Sequence, residues 1–98
     1  MTKIEPFDVA DYLDSPEMIA AYVTEALESG DAALIAMAIG AVARAKGMTD
    51  IAEKAGLSRE NLYRALGGQS KPEFGTVIKV LHALGLSLVA QPLVPEAA

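Results

Sequence analysis

Cysteine is absent from this chain of 98 residues, and histidine occurs once, at His82. Without cysteine there is no disulfide framework, no thiol nucleophile and no thiolate metal site, and such a composition suits the reducing cytoplasm. A single histidine cannot build a histidine-based metal site by itself. The sequence therefore gives no reason to expect a metal ion or another cofactor.

Aromatic residues and long apolar runs are scarce as well. Phenylalanine and tyrosine make up 5% of a chain that is 52% hydrophobic, which favours a compact bundle of helices rich in alanine and leucine. The longest uncharged run, residues 32–43, is shorter than the roughly 20 apolar residues of a membrane span. The N-terminal residues show no apolar segment of a secretory signal. We expect one all-α domain over residues 1–98, in the cytoplasm and without a membrane partner.

Charge is unevenly distributed along the chain, whose formal net charge is −5. Residues 1–40 contain one basic and eight acidic residues, whereas residues 41–98 contain seven basic and five acidic ones. Six basic and three acidic residues lie between positions 44 and 71. The acidic chain therefore contains a basic middle segment. From composition alone, this distribution is equally well interpreted as scattered charges that are only solvated.

Helix-start and helix-end residues divide the first half of the chain. One helix is expected to begin at Ser15 and Pro16 and to end at Gly30, and the next to run from Asp31 to Gly47. The second of these is apolar all round its axis, which predicts a buried central helix. A turn or two of helix over positions 7 to 13 is expected before them.

Toward the C terminus the pattern changes from helix to strand. A helix closed by Gly85 carries one apolar face, made of Phe74, Val77, Ile78, Leu81 and Leu84. Residues 86–93 then alternate sides in the manner of a strand. A lone strand in a helical domain has no partner within its own chain. Pairing with a second subunit, in a homodimer, is about as good an explanation as a loose tail.

Residues 48–66 have the spacing of a helix-turn-helix. Two short helices are predicted, over positions 49 to 55 and 59 to 66, and Ala52 suits their close contact. Gly56 suits a tight reversal with positive φ, and Leu57 fills the turn. Ser58 can then cap the second helix. In such a motif the second helix enters the DNA major groove; a helical hairpin without that function is the alternative.

The outward residues of the second helix and its surroundings are the candidates for DNA contact: Ser58, Arg59, Glu60, Tyr63, Arg64 and Lys71. Arg59 and Arg64 can donate to guanine or to phosphate, and Glu60 can accept from cytosine. Tyr63 can reach a phosphate or a thymine methyl group. Ser58 and Lys71 can bind phosphate. Each could instead be a solvated surface residue, and Arg64 could pair with Glu60.

Three segments of the sequence resemble the probable addiction module antidote family: YLDSPEMIAAYVTEAL, AGLSRENLYRAL and PEFGTVIKVLHALGL. The resemblance covers residues 7–88. It implies a HigA-like antitoxin with a lambda-repressor-like bundle of five to six helices and a short C-terminal strand. It further implies a type II antitoxin that neutralises a RelE/ParE-like toxin and represses its own operon as a dimer. Asp50 departs from the glutamine that many such domains place there to hold a phosphate.

The resemblance gives the acidic N-terminal helices, residues 1–30, a possible role beside the helix-turn-helix bundle of residues 31–85 and the C-terminal strand and tail of residues 86–98. A toxin that acts on RNA is expected to be basic, so acids could attract it. The candidate toxin contacts are Asp8, Asp11, Asp14 and Glu17. These acids could instead only keep the domain in solution.

Two other functions stay open at this point, a stand-alone helix-turn-helix regulator and a protein-binding module with vestigial DNA binding. An enzyme is not expected, because no paired carboxylates, nucleophile–base pair or phosphate loop stands in a supporting context. For the same reason we expect no small-molecule substrate.

Overall fold

The computed structural model describes residues 13–67 and 71–93, and the regular elements in these ranges are all helices. Five helices follow one another, namely α1 (Pro16–Ser29), α2 (Ala32–Lys46), α3 (Met48–Ala55), α4 (Arg59–Ala65) and α5 (Phe74–Ala83). The prediction of an all-α fold is confirmed. The short helix expected before α1 lies almost wholly outside the described residues.

Helices α1 and α2 begin at the caps that the sequence indicates. The Ser15 hydroxyl accepts from the backbone N–H of Met18 at 3.1 Å. The Asp31 carboxylate accepts from the N–H groups of Ala33 at 3.0 Å and Leu34 at 3.2 Å. These bonds satisfy first-turn donors that have no partner within the helix, so each helix starts directly after its cap.

The helices pack around one hydrophobic core. Helix α1 packs along α2, the axis of α3 is bent by 111° from that of α2, and α3 contacts both α4 and α5. The core cluster takes side chains from all five helices and consists of Leu13, Ile19, Val23, Ile39, Val42, Ala43, Met48, Ile51, Ala52, Ala55, Leu62, Leu66, Val80 and Leu81. This shared core fixes α3 and α4 against the rest of the bundle.

Helix α2 is buried on one side only. Its buried residues are Ala36, Ala38, Ile39, Gly40, Val42 and Ala43. On the opposite side Leu34 is 47% exposed and Met37 is 53% exposed. The prediction of a helix buried all round is therefore wrong for that side, because in the described part of the chain the helices that pack on α2 lie against its other face.

Gly40 marks a close approach between α2 and the end of α4. A Cβ atom added there would lie 2.9 Å from the carbonyl oxygen of Leu66 and 3.2 Å from its Cβ atom. Only a residue without a side chain allows the two backbones to come so near. Gly40 therefore sets the position of the C-terminal end of α4.

The C-terminal part differs from the sequence prediction in two ways. Phe74, expected on the inner face of α5, is 70% exposed, while Val80 is fully buried. Residues 86–93 form no strand, nor does any other described segment. A strand needs a neighbouring strand to satisfy its backbone, and the part of the chain that the structure describes supplies none there. The predicted strand is therefore not seen in the isolated chain, and its pairing across a dimer stays a prediction.

Membrane crossing by one helix is not supported by the described residues. No single helix in residues 13–67 and 71–93 is long and apolar enough to span a bilayer. Only α2 and α3 taken together reach the required length and composition, and they are bent sharply at Gly47.

Candidate nucleic-acid interface

A three-residue turn, Gly56 to Ser58, joins α3 to α4. Gly56 has a φ of +74°, and its N–H donates to the carbonyl of Glu53 at 3.2 Å. The N–H of Leu57 donates to the carbonyl of Ala52 at 2.9 Å. A left-handed residue with these backward bonds ends a helix and turns the chain sharply. No atom lies within 4 Å of a Cβ added at Gly56, so glycine is needed there for its conformation.

Ser58 begins α4, and buried leucines anchor the helix. The Ser58 hydroxyl accepts from the N–H of Asn61 at 3.0 Å, as an N-cap does. Leu62 has no exposed surface, and the turn residue Leu57 packs partly buried against the same core. With its inward side held in this way, α4 presents its other side to the solvent.

Arg59 and Tyr63 form a pair on that outward side. Their positions are one helical turn apart, and both residues are exposed. Arg59 Nη2 donates to the Tyr63 hydroxyl at 3.4 Å, and Arg59 Cζ lies 5.4 Å from the centroid of the Tyr63 ring. A guanidinium above an aromatic face is a favourable cation–π arrangement. Because a guanidinium has five N–H donors, this contact leaves donors for a base edge or a phosphate.

Arg64 is also exposed on α4, and its neighbour Asn61 orients it. Arg64 Nη1 donates to the Asn61 Oδ1 atom at 2.8 Å. Asn61 is not among the residues predicted from the sequence, although its spacing of three residues from Arg64 on a polar face was the available signal. An asparagine side chain can itself pair with adenine in the major groove. Asn61 therefore joins the candidate residues, beside Glu60, which is exposed as expected.

The charges around α4 are mixed. Lys71 is exposed just before α5, and Lys46 is exposed in the last turn of α2. Lys54 Nζ lies 3.2 Å from Asp50 Oδ2, in an ion pair whose side chains are both more than half exposed. Asp50 lies in the first turn of α3, where its negative charge interacts favourably with the positive end of the helix dipole. The charge that Lys54 could offer a phosphate is therefore partly cancelled.

The acidic candidates for toxin binding lie at the other end of the described chain. Asp14 and Glu17 are exposed at the start of α1, whereas Asp8 and Asp11 lie outside the described residues. Glu25 and Glu28 are exposed on the same helix, and α1 contains no basic residue. The exposed surface of α1 is therefore negative along its length.

Metal ligands do not cluster in the described residues. Across residues 13–67 and 71–93, no group of three or more histidine, cysteine, aspartate or glutamate side chains is placed to hold a metal ion. His82 is exposed on α5. The exposed surface of α4 presents hydrogen-bond donors, acceptors and one aromatic ring.

Comparison with known proteins identifies the family. A protein of Haemophilus influenzae that carries the description "Uncharacterized protein" is 46% identical to this chain over 89 residues, which cover 91% of this chain and 92% of that protein. No solved structure matches this chain. A family model described as "Probable addiction module antidote protein" matches residues 3–92. Because that match spans nearly the whole sequence, this chain belongs to the probable addiction module antidote protein family.

Proposed function

We propose that this protein is the antidote of a type II toxin–antitoxin pair and that it also represses its own operon. In this proposal it works in the cytoplasm as a homodimer, as a binding protein rather than an enzyme. Helices α3 and α4 act as a lambda-repressor-like, HigA-like helix-turn-helix, with α4 entering the major groove of the operator. The partner of its acidic surface is a RelE/ParE-like toxin.

The observation that carries the DNA-binding part is the exposed Arg59–Tyr63 pair on a short, serine-capped helix after a glycine turn. Had these two side chains packed into the bundle, α4 could not have reached base edges. Their exposure, together with the first-turn position of Arg59, agrees with recognition helices, whose N-terminal residues contact the bases. Arg64 and Asn61, joined by their own hydrogen bond, lie further round the exposed surface of the same helix.

A binding assay on the protein's own promoter tests this part. We expect Arg59→Ala to weaken operator binding by about tenfold or more, because it removes a donor to bases or phosphate. Lys79→Ala is the matched control, since it removes one exposed positive charge from α5. Fluorescence anisotropy at two salt concentrations, with a scrambled duplex beside the promoter, separates specific from general binding. Equal losses in the two variants would refute a role for Arg59 in recognition.

Membership of an antidote family implies a toxin partner in general, and α1 supports a basic one. The double substitution Asp14→Lys with Glu17→Lys is expected to weaken capture of the cognate toxin, because it reverses charge at the start of the acidic helix. The matched control reverses Glu25 and Glu28 on the same helix. If the control weakens capture as strongly, general attraction rather than these two acids is responsible, and unchanged capture by the first variant would contradict the assignment. Adding reversal of Asp8 and Asp11 extends the test to all four candidates.

One observation favours a second function, that of a protein-binding module with little DNA affinity. The carboxylate of Asp50 stands at the start of α3, where a DNA phosphate would approach in a helix-turn-helix, and it also engages Lys54. Absence of any promoter binding at low salt, with toxin binding intact, would favour this module. Promoter binding without a small basic reading frame beside the gene would favour a stand-alone regulator.

A further inference from the structure

No helix in residues 13–67 and 71–93 covers an apolar stripe along α2. Leu34 and Met37 are about half exposed, Ala33 and Ala45 are exposed, and Ala41 is half-buried between them. No charged residue occurs from position 32 to position 43. A continuous apolar stripe of this kind on a surface helix is typical of a contact face.

The stripe has the spacing of a helix–helix seam. Its central positions are Leu34, Met37, Ala41 and Arg44, which are separated by three, four and three residues. This spacing keeps a row of side chains facing a second helix that crosses at a shallow angle. The 15 residues of α2 give a seam about 22 Å long.

The two ends of α2 carry opposite charges. Asp31 caps the N-terminal end, and Arg44 and Lys46 lie in the last turn. When two copies of α2 run antiparallel, the acidic end of each meets the basic end of the other, and the helix dipoles oppose as well. A parallel pair would bring like charges together at both ends. The charge pattern of α2 therefore complements itself in one orientation.

We propose that α2 is the dimer interface of this protein, pairing antiparallel with α2 of a second copy about a twofold axis. The seam positions are symmetric about position 39. In that register Met37 faces Ala41 of the second copy, and Leu34 faces the aliphatic stem of Arg44 of the second copy. Each large side chain meets a small or flexible one. In the single chain Arg44 Nη1 lies 3.5 Å from a Cβ added at Gly40, and in the dimer the guanidinium turns from there toward the opposite Asp31. Such an interface is isologous, so both subunits use the same residues.

This inference names the interface of the homodimer in the proposed function, and its tests use no DNA and no toxin. If the protein dimerises through α2 but binds no promoter, the repressor proposal is refuted and the interface proposal stands. If the protein binds its promoter but does not dimerise through α2, the interface proposal is refuted and the repressor proposal stands.

The first test is the oligomeric state by sedimentation velocity. We expect the unsubstituted chain to dimerise and Met37→Glu to raise the dimer dissociation constant by at least about 30-fold, because a charge would face the apolar seam. Val89→Glu on the C-terminal segment, where Val89 is 75% exposed, tests the competing prediction that this segment pairs across the dimer. A circular dichroism melt checks that both variants stay folded, since glutamate suits a half-exposed helix position. An unsubstituted chain that stays monomeric at millimolar concentration would overturn the proposal, as would dissociation by the Val89 variant instead of the Met37 variant.

The second test determines the orientation of the two helices by disulfide cross-linking. Because the chain has no native cysteine, only the introduced thiols can form a disulfide. Chains carrying Met37→Cys and Ala41→Cys are prepared separately, one of them with a size tag, then mixed and oxidised with diamide. A disulfide needs the two Cα atoms within about 7 Å, so antiparallel pairing predicts that the mixed product forms several-fold faster than either self-linked product. Faster self-linking of the Met37→Cys chain would indicate parallel pairing and refute the register. No cross-link in a protein that is dimeric by sedimentation would refute the interface.

Discussion

Replacement of Gly40 by alanine tests whether α2 and α4 are packed as closely as the structure has them. The added methyl group would lie 2.9 Å from the Leu66 carbonyl oxygen and 3.2 Å from its Cβ atom. Both are fixed atoms, the one backbone and the other attached directly to it, so no change of side-chain rotamer relieves the overlap. The helices must move apart or the end of α4 must shift.

The expected magnitude is a balance of two effects. Overpacking of this kind costs about 1–3 kcal/mol, whereas alanine in place of glycine inside a helix contributes up to about 1 kcal/mol in the opposite direction. Gly75→Ala adds a helical methyl group without overlap, because Gly75 is the second residue of α5 and no atom lies within 4 Å of an added Cβ. We therefore expect Gly40→Ala to be about 1–3 kcal/mol less stable than Gly75→Ala.

Urea unfolding followed by circular dichroism measures the difference directly. In a domain of this size, 1 kcal/mol corresponds to roughly 4–8 °C in Tm, so thermal melts should separate the two variants clearly. Gly75→Ala is expected to match or slightly exceed the unsubstituted protein. If Gly40→Ala were as stable as Gly75→Ala, the close approach of α2 to Leu66 would be refuted.

Substitutions at Gly56 and Ser58 test the turn, and a substitution at Asp50 tests the start of α3. Gly56→Ala should lower the free energy of unfolding by about 1–2 kcal/mol, since alanine is strained at a φ of +74°; an unchanged urea midpoint would show that the turn takes another conformation. Ser58→Ala should cost about 1 kcal/mol through loss of the cap on α4, and Ser58→Asp should retain most of that stability. A Tm as low in the aspartate variant as in the alanine variant would argue against capping. Asp50→Gln should tighten promoter binding by about threefold to tenfold at low salt, because it removes a negative charge from the start of α3; Lys54→Ala controls for loss of their ion pair, and unchanged affinity in the glutamine variant would indicate that Asp50 lies away from DNA.

Helix boundaries were predictable because they depend on neighbours in sequence. Ser15 and Asp31 cap the helices that they were expected to cap. The two short helices begin and end within one residue of their predicted bounds, on either side of Gly56. A capping bond spans only two or three residues, and a left-handed glycine changes the chain direction only at its own position. Both can therefore be predicted from the local sequence.

Burial was less predictable where both faces of a helix are apolar. In α5, Phe74 was expected inside but is mainly exposed, while Val80 is fully buried. Periodicity finds an apolar face but cannot choose between two adjacent ones, because the choice depends on where α3 packs. In α2 the uncharged run indicated burial on every side, and the exposure of Met37 depends on which helices reach it. The contact of Gly40 with Leu66 joins positions far apart in sequence and has no local signal.

The candidate site has some features that follow from the local sequence and others that depend on three-dimensional geometry. The exposure of Arg59 and Tyr63 followed from the inward positions of the same short helix, and their mutual contact follows from a spacing of four residues. The bond of Asn61 to Arg64 and the ion pair of Asp50 with Lys54 needed side-chain geometry. Alternation alone indicated a strand at residues 86–93, but alternation carries no information on whether another strand is there to pair with it.

Helix α4 is only seven residues long, about half the length at which an isolated peptide holds a helix in water. Its shape therefore comes from Leu62 and Leu66, whose side chains are part of the common core. Any protease cut or chaperone that opens this core erases the outward edge of α4 in the same event. Under the proposed function, loss of the folded antidote and loss of promoter binding would then be simultaneous, without a separate switch.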